Sequence, residues 1–371
     1  MTAAIRIIPA PIDWQHPDRG AVRDALAATA EAGYTHVECS PPWHLLQPTA
    51  RTIDSRTMQL LETLVDDAAA VGLRSVVHLL QVRDRGVLTL PDWHHGPDAV
   101  GFLAGRTRQP VRYQGIPVRI DGRLRTLDLA DPYRTESWRD AQLQLVHTVV
   151  GYYGSHPAIT HWHLADGWSR LADTSAAHAA AWLRGLTEAA RRAAPAAHLV
   201  ATVDAPNLLG HALIVGVLAG QFDVLQVDAA MPEIPHRDAL RLSTPPHVLH
   251  DLVAALARRP VIVRLAPTLR GDTRGWRQTT WHQQPLVVAQ LSDEDSERYA
   301  QAVVAALQPA GAAGVVFPQP PAPSRIDPQQ SRIVGNVLRG WETCVAAAST
   351  IDAERFLHNP LRGFQMLWKD V

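Results

Sequence analysis

Four acidic residues lie at or near the ends of short β-branched segments, where their side chains could reach a common site. They are Glu38, Asp166, Asp204 and Asp228. Carboxylates that converge on one substrate are suited to general acid–base or nucleophilic chemistry. Structural roles stay open beside that chemistry, because Asp166 could cap a following turn and Glu38 could form a buried ion pair. We take Asp166, Glu38 and Asp228 as candidate catalytic residues and Asp204 as a candidate substrate-binding residue.

Three tryptophans also fall at or beyond the ends of these segments. The chain has 11 Trp residues, and the three are Trp43, Trp93 and Trp168. Indole rings stack well on apolar faces such as the C–H faces of sugars, but they also fill protein cores. Substrate contact and loop packing therefore both remain open for each of them.

A group of histidines provides polar side chains near the same edge. His161 and His163 are two residues apart on one predicted strand and so share a face, and His78 on the preceding strand could join them. No spaced metal-ligand motif accompanies these residues. We therefore expect hydrogen bonding to a ligand, with no metal or other cofactor, and assign His163 and Arg264 to the candidate substrate-binding set.

A regular alternation of strands and helices positions these residues. The predicted strands are Ile5–Ile8, Thr35–Cys39, Ser75–Leu80, Ile159–Leu164, His198–Val203, Asp223–Val227, Pro260–Leu265 and Gly314–Phe317. The predicted helices are Ala21–Ala32, Ser55–Val71, Glu136–Tyr153, Thr174–Ala193, Leu208–Gly220, Val248–Arg258, Asp293–Leu307 and Ser331–Ala348. Eight such units predict an α/β fold of the closed (β/α)8, or TIM-barrel, type. We expect one domain over residues 1–349, with residues 350–371 as a tail packed on the barrel.

Two long insertions follow predicted strands rather than helices. They are Pro91–Pro132 after the third strand and Thr268–Leu291 after the seventh. Loops that follow strands lie at the carboxyl-terminal face of such a barrel, which is the functional face. The insertions are therefore predicted to roof a concave pocket at the barrel mouth.

Charge and cysteine content exclude several classes of function. Lys plus Arg is 35 and Asp plus Glu is 36 over 371 residues, so no overall field favours nucleic acid or an acidic membrane. Two cysteines are too few for a disulfide framework or a thiolate metal cluster. The sequence shows neither a signal-peptide pattern nor an apolar run of the ~20 residues needed to span a membrane. We expect a cytoplasmic protein.

Three stretches resemble the retaining glycoside hydrolases of clan A, the β-galactosidase and cellulase clan. Ala32–Pro48 is similar to the signature of the second strand in that clan. Leu90–Trp162 resembles the long third loop and the approach to strand four, and it is the most specific of the three stretches. Ser292–Phe317 resembles the seventh helix and strand eight. The order is that of the family, and the resemblance implies the same barrel and a carbohydrate or glycoside as partner.

The resemblance also implies a mechanism that this chain departs from. Retaining hydrolysis needs two carboxyl groups ~5–5.5 Å apart. The family has an Asn-Glu pair at the end of strand four, where this chain has Asp166 and Gly167. The family nucleophile at the end of strand seven corresponds to Leu265, and no acidic residue occurs between Arg258 and Arg270.

A third departure suggests an exchange of charges. Glu38 stands where the family has a strand-two arginine that supports the nucleophile, and Arg264 stands beside the nucleophile position. If both side chains point inward, they are expected to pair, because a lone buried charge is costly. Strand parity argues against this pair, because Leu265 and Arg264 face opposite sides of a regular strand.

Three functional hypotheses follow. The first is a carbohydrate-binding barrel that has lost its catalytic glutamates or uses a rearranged site. The second is an active glycosidase that combines Asp166 with a relocated carboxylate, such as Asp228 or Glu38. The third is a noncatalytic scaffold or protein-interaction subunit. The sugar, the linkage and the oligomeric state are not determined by the sequence.

Overall fold

The computed structural model describes a large part of the chain. The described residues are 5–84, 87–91, 93, 116–120, 123–127, 135–166, 168, 176–204, 212–229, 246–265, 269–270, 275–281, 284–291, 304–305 and 307–317. The predicted tail at 350–371, the predicted helix at 331–348 and most of the predicted helix at 293–307 lie outside these residues.

Fifteen strands are present in the described residues. They are β1 (Ile5–Pro9), β2 (His36–Cys39), β3 (Arg74–His78), β4 (Arg83–Asp84), β5 (Val87–Thr89), β6 (Ile116–Ile120), β7 (Arg123–Leu127), β8 (Ile159–Ala165), β9 (Leu199–Asp204), β10 (Val224–Ala229), β11 (Val261–Leu265), β12 (Leu269–Arg270), β13 (Gly275–Trp281), β14 (Gln284–Leu291) and β15 (Gly314–Val316). Eight of them close into a parallel barrel in the order β1-β15-β11-β10-β9-β8-β3-β2. The predicted (β/α)8 barrel is therefore confirmed, and each barrel strand lies within two residues of its predicted bounds.

Helices connect the barrel strands. The described helices are α1 (Arg19–Glu31), α2 (Trp43–Leu46), α3 (Ser55–Ala70), α4 (Glu136–Tyr153), α5 (Ala176–Ala193), α6 (Ala212–Gln221) and α7 (Pro246–Ala257). Asp18 and Asp54 cap the first turns of α1 and α3, since their carboxylates accept hydrogen bonds from the Ala21 and Thr57 amides at 3.1 and 2.7 Å. None of the described helices is long and apolar enough to cross a membrane.

The chain divides into two compact units. One contains β11, β15 and most of β1 and β10, and the other contains β2, β3, β8 and α1 to α5. Each unit includes an insertion with a small sheet of its own. Strands β4 to β7 form a four-stranded sheet after β3, and β12 to β14 form a three-stranded sheet after β11. Both insertions follow barrel strands, as predicted, but the small strands of these two sheets were not predicted. That the insertions roof a pocket stays a prediction.

Strand register aligns polar side chains of β2, β3 and β8 in the second unit. Glu38 pairs with Val76, and His78 pairs with His163. Because side chains alternate along a strand, these positions share one face, and neighbouring positions such as Val37 and Val77 present buried apolar side chains on the other. The polar face of these three strands therefore carries the candidate site.

Candidate functional site

A buried cluster of two histidines and two carboxylates lies at the carboxyl ends of β2, β3 and β8. Glu38 is 5% exposed, Asp166 is 2% exposed, and His78 and His163 are each 1% exposed. Buried ionisable groups are stable only when they are paired or hydrogen-bonded. The contacts within the cluster therefore decide what it can do.

A chain of hydrogen bonds connects Glu38 to Thr202. His78 Nε2 lies 3.1 Å from Glu38 Oε1 and 3.1 Å from His163 Nδ1, and His163 Nε2 lies 2.8 Å from Thr202 Oγ1. An ionised Glu38 only accepts hydrogen bonds, so His78 Nε2 carries the proton. His163 Nδ1 then accepts from the N–H of His78. The other nitrogen of the His163 ring, Nε2, carries a proton and donates it to Thr202 Oγ1. We assign both tautomers from this network.

Asp166 joins the cluster on the other side of the His78 ring. Its Oδ2 lies 3.9 Å from His78 Nδ1 and accepts a hydrogen bond of 3.4 Å from Gln81 Nε2. His78 Nδ1 itself is buried and has no hydrogen-bond partner. His78 therefore lies between two carboxylates, bonded to Glu38 through one nitrogen and facing Asp166 with the other.

A register shift brings Asp166 to this face. His163 and Asp166 are three residues apart, so a regular strand would point them in opposite directions. The pairing of β8 with β9 shifts between His163 and Ala165, as in a β-bulge. Such irregularities re-aim side chains next to functional sites.

Backbone strain marks the same edge of the barrel. Leu80 follows β3 with a φ of 58°, although it is neither glycine nor asparagine. Its carbonyl accepts a hydrogen bond of 2.6 Å from Trp168 Nε1. A bulky residue at positive φ costs energy that surrounding contacts must offset, and such residues cluster at functional sites.

The three predicted sugar-stacking tryptophans form an aromatic cluster in the second unit. The Trp43 ring lies 5.7 Å from the rings of both Trp93 and Trp168. Trp43 and Trp168 are buried, whereas Trp93 is partly exposed. Their packing fits the structural alternative, so substrate contact stays a prediction, and Trp93 is the member best placed for it.

Gln47 holds two of these rings in place. It is fully buried, its side-chain oxygen accepts from Trp43 Nε1 at 2.8 Å, and its carbonyl accepts from Trp93 Nε1 at 2.8 Å. Its amide nitrogen donates to the carbonyl of Ala141 at 2.9 Å. The sequence analysis missed Gln47, Gln81 and Thr202; polar residues at strand ends were the available signal for the last two.

The other unit contains two further candidate site residues, Asp228 and Arg264. The two residues are register partners on β10 and β11, with 3.6 Å between Arg264 Nη1 and Asp228 Oδ1. With its amide oxygen turned toward the guanidinium, Gln226 accepts from Arg264 Nε and Nη2 at 2.8 and 2.7 Å. Arg264 thus has partners on β10 and Glu38 has one on β3, while the Glu38–Arg264 pair stays a prediction. The side chain of Asp204, the last residue of β9, lies outside the described part of the chain.

A second pair of histidines lies nearer the amino ends of the strands. His36 begins β2 and His161 lies in β8, two residues before His163. Burial is the main cause that lowers the pKa of both imidazoles to about 4, helped by the neighbouring His161 for His36 and by His198 for His161. Both are therefore neutral at pH 7. We call His36 and His161 the lower pair, and His78 and His163 the upper pair.

Comparison with known proteins identifies the fold through structure alone. No protein-family model matches the chain, and no curated protein matches it in sequence. A GH5_18 enzyme from Streptomyces cattleya, in complex with GlcNAc, superposes with a TM-score of 0.60 at 18% identity over 92% of this chain and 82% of that one. An alanine variant of GH5_18 from Bifidobacterium longum subsp. longum, in complex with Manβ1-4GlcNAc, gives 0.61 at 16% identity over 94% and 79%.

A β-galactosidase provides a more distant match. The enzyme from Halorubrum lacusprofundi gives a TM-score of 0.53 at 15% identity, over 85% of this chain and 52% of that one. At these identities the likeness shows the fold. The chain therefore has the same (β/α)8 barrel fold as these proteins, as the alternation of strands and helices predicted.

Proposed function

We propose that this chain is a carbohydrate-binding barrel of the glycoside hydrolase type that has lost the retaining pair of glutamates. The end of β11 carries the proposal. Leu265 occupies the place expected for the nucleophile and is 2% exposed, and the preceding Arg264 forms an ion pair with Asp228 and donates hydrogen bonds to Gln226. A retaining enzyme needs a carboxylate that can attack the anomeric carbon.

The carboxylates that could replace the missing pair already have partners. Glu38 bonds to His78, Asp166 accepts from Gln81, and Asp228 faces Arg264. All three are at most 5% exposed. Gly167, which has no side chain, follows Asp166 at the place expected for the acid/base. These features favour the hypothesis of binding without hydrolysis. They disfavour the hypothesis of an active site built from relocated carboxylates.

The proposed ligand class is a β-linked glycoside. The structural neighbours include complexes with GlcNAc and Manβ1-4GlcNAc, and a β-galactosidase. Sugar sites combine an aromatic platform with a few fixed polar groups. In the second unit, Trp93 and the cluster at the strand ends offer both kinds of group.

A paired test of hydrolysis and binding distinguishes the hypotheses. Chromogenic β-galactosides, β-glucosides and β-mannosides are incubated with the chain, and calorimetry measures binding of Manβ1-4GlcNAc and GlcNAc. We expect binding with turnover far below the ordinary range of about 1–10³ per second. Trp93→Ala is expected to weaken binding about tenfold through lost stacking, while Asp24→Ala, on the exposed surface of α1, leaves it unchanged.

Two other outcomes would replace the proposal. Turnover in the ordinary range that disappears in Asp166→Ala but not in Asp24→Ala would establish an active glycosidase. A chain that neither binds nor cleaves any of these sugars would favour the scaffold hypothesis.

A further inference from the structure

The environment of His78 Nδ1 is unusual for a buried nitrogen. Glu38 accepts the proton on Nε2 at 3.1 Å, so the lone pair of the neutral ring is on Nδ1. That nitrogen has no hydrogen-bond partner, and Asp166 Oδ2 lies 3.9 Å away. A lone pair and a carboxylate repel one another, and burial strengthens the repulsion. A cation between His78 Nδ1 and Asp166 Oδ2 would remove this repulsion.

We propose that His78, His163 and Asp166 bind a divalent transition-metal ion of the zinc class. One ligand atom from each of the three residues lies within 4.8 Å of the others, and all three side chains are buried. The separation of 3.9 Å exceeds a hydrogen bond. A tetrahedral zinc ion separates a nitrogen and an oxygen ligand by about 3.4 Å, so the Asp166 carboxylate would move about 0.5 Å toward the ring on binding.

The types of ligand select the class of metal. Two imidazoles and one carboxylate suit zinc and its neighbours, whereas magnesium and calcium prefer oxygen ligands alone. The sign of the charge also suits a cation, because Asp166 and Glu38 place two carboxylates beside the His78 ring. A buried ion requires such compensation.

The surrounding contacts orient both imidazoles for this role. A histidine ligand commonly donates its second ring N–H to a carboxylate or another oxygen, which fixes the tautomer. Glu38 serves His78 in this way, and Thr202 serves His163 at 2.8 Å. With a metal bound, His163 Nδ1 would no longer accept the proton of His78 Nε2. Glu38 would then be the acceptor of that proton. No metal was expected from the sequence, because His78 and His163 were grouped there with His161 rather than with Asp166.

The test uses the full chain after removal of metals with EDTA. Calorimetry with Zn²⁺ alone is expected to show one ion bound per chain and a higher unfolding temperature, since a ligand that binds the folded state stabilises it. Co²⁺ as a spectroscopic substitute is expected to produce visible absorption bands of a nitrogen- and oxygen-ligated ion. Both measurements use the unaltered chain, so they remain decisive even if variants fold poorly.

Four variants locate the site. Asp166→Asn and His163→Gln are expected to weaken Zn²⁺ binding at least 100-fold, and Glu38→Gln about 10- to 100-fold because it acts through His78. His156→Gln, which alters a histidine paired with Asp66 on the exposed surface, should bind as the unaltered chain does. Circular dichroism in EDTA checks that each variant is folded.

Two results would overturn the metal site. One is the absence of saturable Zn²⁺ binding to the unaltered chain, which would mean that a proton on His78 Nδ1 bridges the two acceptors. The other is undiminished binding in a folded Asp166→Asn variant. Because no sugar is present in these measurements, failure of the proposed carbohydrate function would leave this result untouched.

Discussion

The two histidine pairs of the second unit differ sharply in chemistry although they occupy one face of the same strands. His161 and His163 are only two residues apart on β8. The lower pair is held neutral by burial, with the pKa of both rings lowered to about 4. The upper pair lies between Glu38 and Asp166, at 3.1 and 3.9 Å from the ring of His78.

The difference comes from the carboxylates rather than from the depth of burial. Burial alone disfavours the imidazolium, whereas an adjacent carboxylate favours a positive charge. The lower pair is therefore an inert part of the interior that resists protonation. The upper pair sits in a place that attracts a cation. Three predictions test this contrast, in order of expected effect, and a fourth concerns the strained backbone beside the upper pair.

Acidification should destabilise the protein through the lower pair. The pKa of each imidazole is about 4 in the folded chain and 6.5 in the unfolded chain. The unfolded state therefore binds more protons between these values, so stability is complete above pH 6.5 and is lost as pH falls toward 4. The free energy of unfolding is expected to drop by about 2–4 kcal/mol between pH 7 and pH 5. Urea unfolding at a series of pH values measures it.

Matched variants assign that loss to the lower pair. His36→Gln, which removes one titrating group, should reduce the slope with pH by roughly half. His178→Gln changes an exposed histidine of α5 and should leave the slope as it was. An unchanged slope in His36→Gln would mean that the acid sensitivity has another origin.

Loss of the carboxylate at Glu38 should destabilise the upper pair at neutral pH. Glu38→Ala removes the acceptor of His78 Nε2 in a buried site, which is expected to cost about 3 kcal/mol. Glu38→Gln keeps an acceptor and should cost less. The measurement is urea unfolding at pH 7 in EDTA. Asp13→Ala, which breaks a similar pair with His16 on the exposed surface, should have no measurable effect, and equal losses at both sites would contradict the contrast.

Two threonine substitutions compare the hydrogen bonds of the pairs directly. Thr202 faces His163 Nε2 at 2.8 Å, and Thr160 faces His161 Nδ1 at 3.0 Å. Thr202→Val leaves a fully buried nitrogen without its partner and should cost about 1–2 kcal/mol. Thr160→Val should cost less than about 0.5 kcal/mol, because the half-buried His161 can bond to water instead. Urea midpoints that fall equally in both variants would show that water does not replace the Thr160 hydroxyl at His161 Nδ1.

The barrel was predictable from the sequence because its strands are short β-branched runs. The candidate site was less predictable. Regular alternation places Asp166 opposite His163, and only the register shift before Ala165 brings them together. Strands β6 and β7 were missed because residues 91–132 are rich in Gly and Pro, which are typical of loops, whereas β4 and β5 are only two and three residues long. Composition also cannot tell a stacking tryptophan from a packed one such as Trp43.

The smallest effect concerns two residues with left-handed backbone conformation. Leu80 at the strand-end cluster has a φ of 58°, and Arg258 just after α7 has a φ of 52°. Arg258 is exposed, and its amide closes the helix on the carbonyl of Ala254 at 2.8 Å, a position that favours glycine. Arg258→Gly removes a left-handed penalty of ~1–2 kcal/mol and adds chain entropy to the unfolded state worth about 0.4–1 kcal/mol.

The net result should be a stabilisation of roughly 0.5 kcal/mol, seen as a small rise in the urea midpoint. Leu80→Gly releases the same strain but removes a side chain that is 1% exposed, so the midpoint should fall. A urea midpoint that rises in Arg258→Gly and falls in Leu80→Gly would show that packing around Leu80 maintains the strained edge next to His78 and Asp166. If Leu80→Gly were as stable as the unaltered chain, the packing of the Leu80 side chain would only offset the strain, and the hydrogen bond from Trp168 to the Leu80 carbonyl would be left to hold the left-handed conformation.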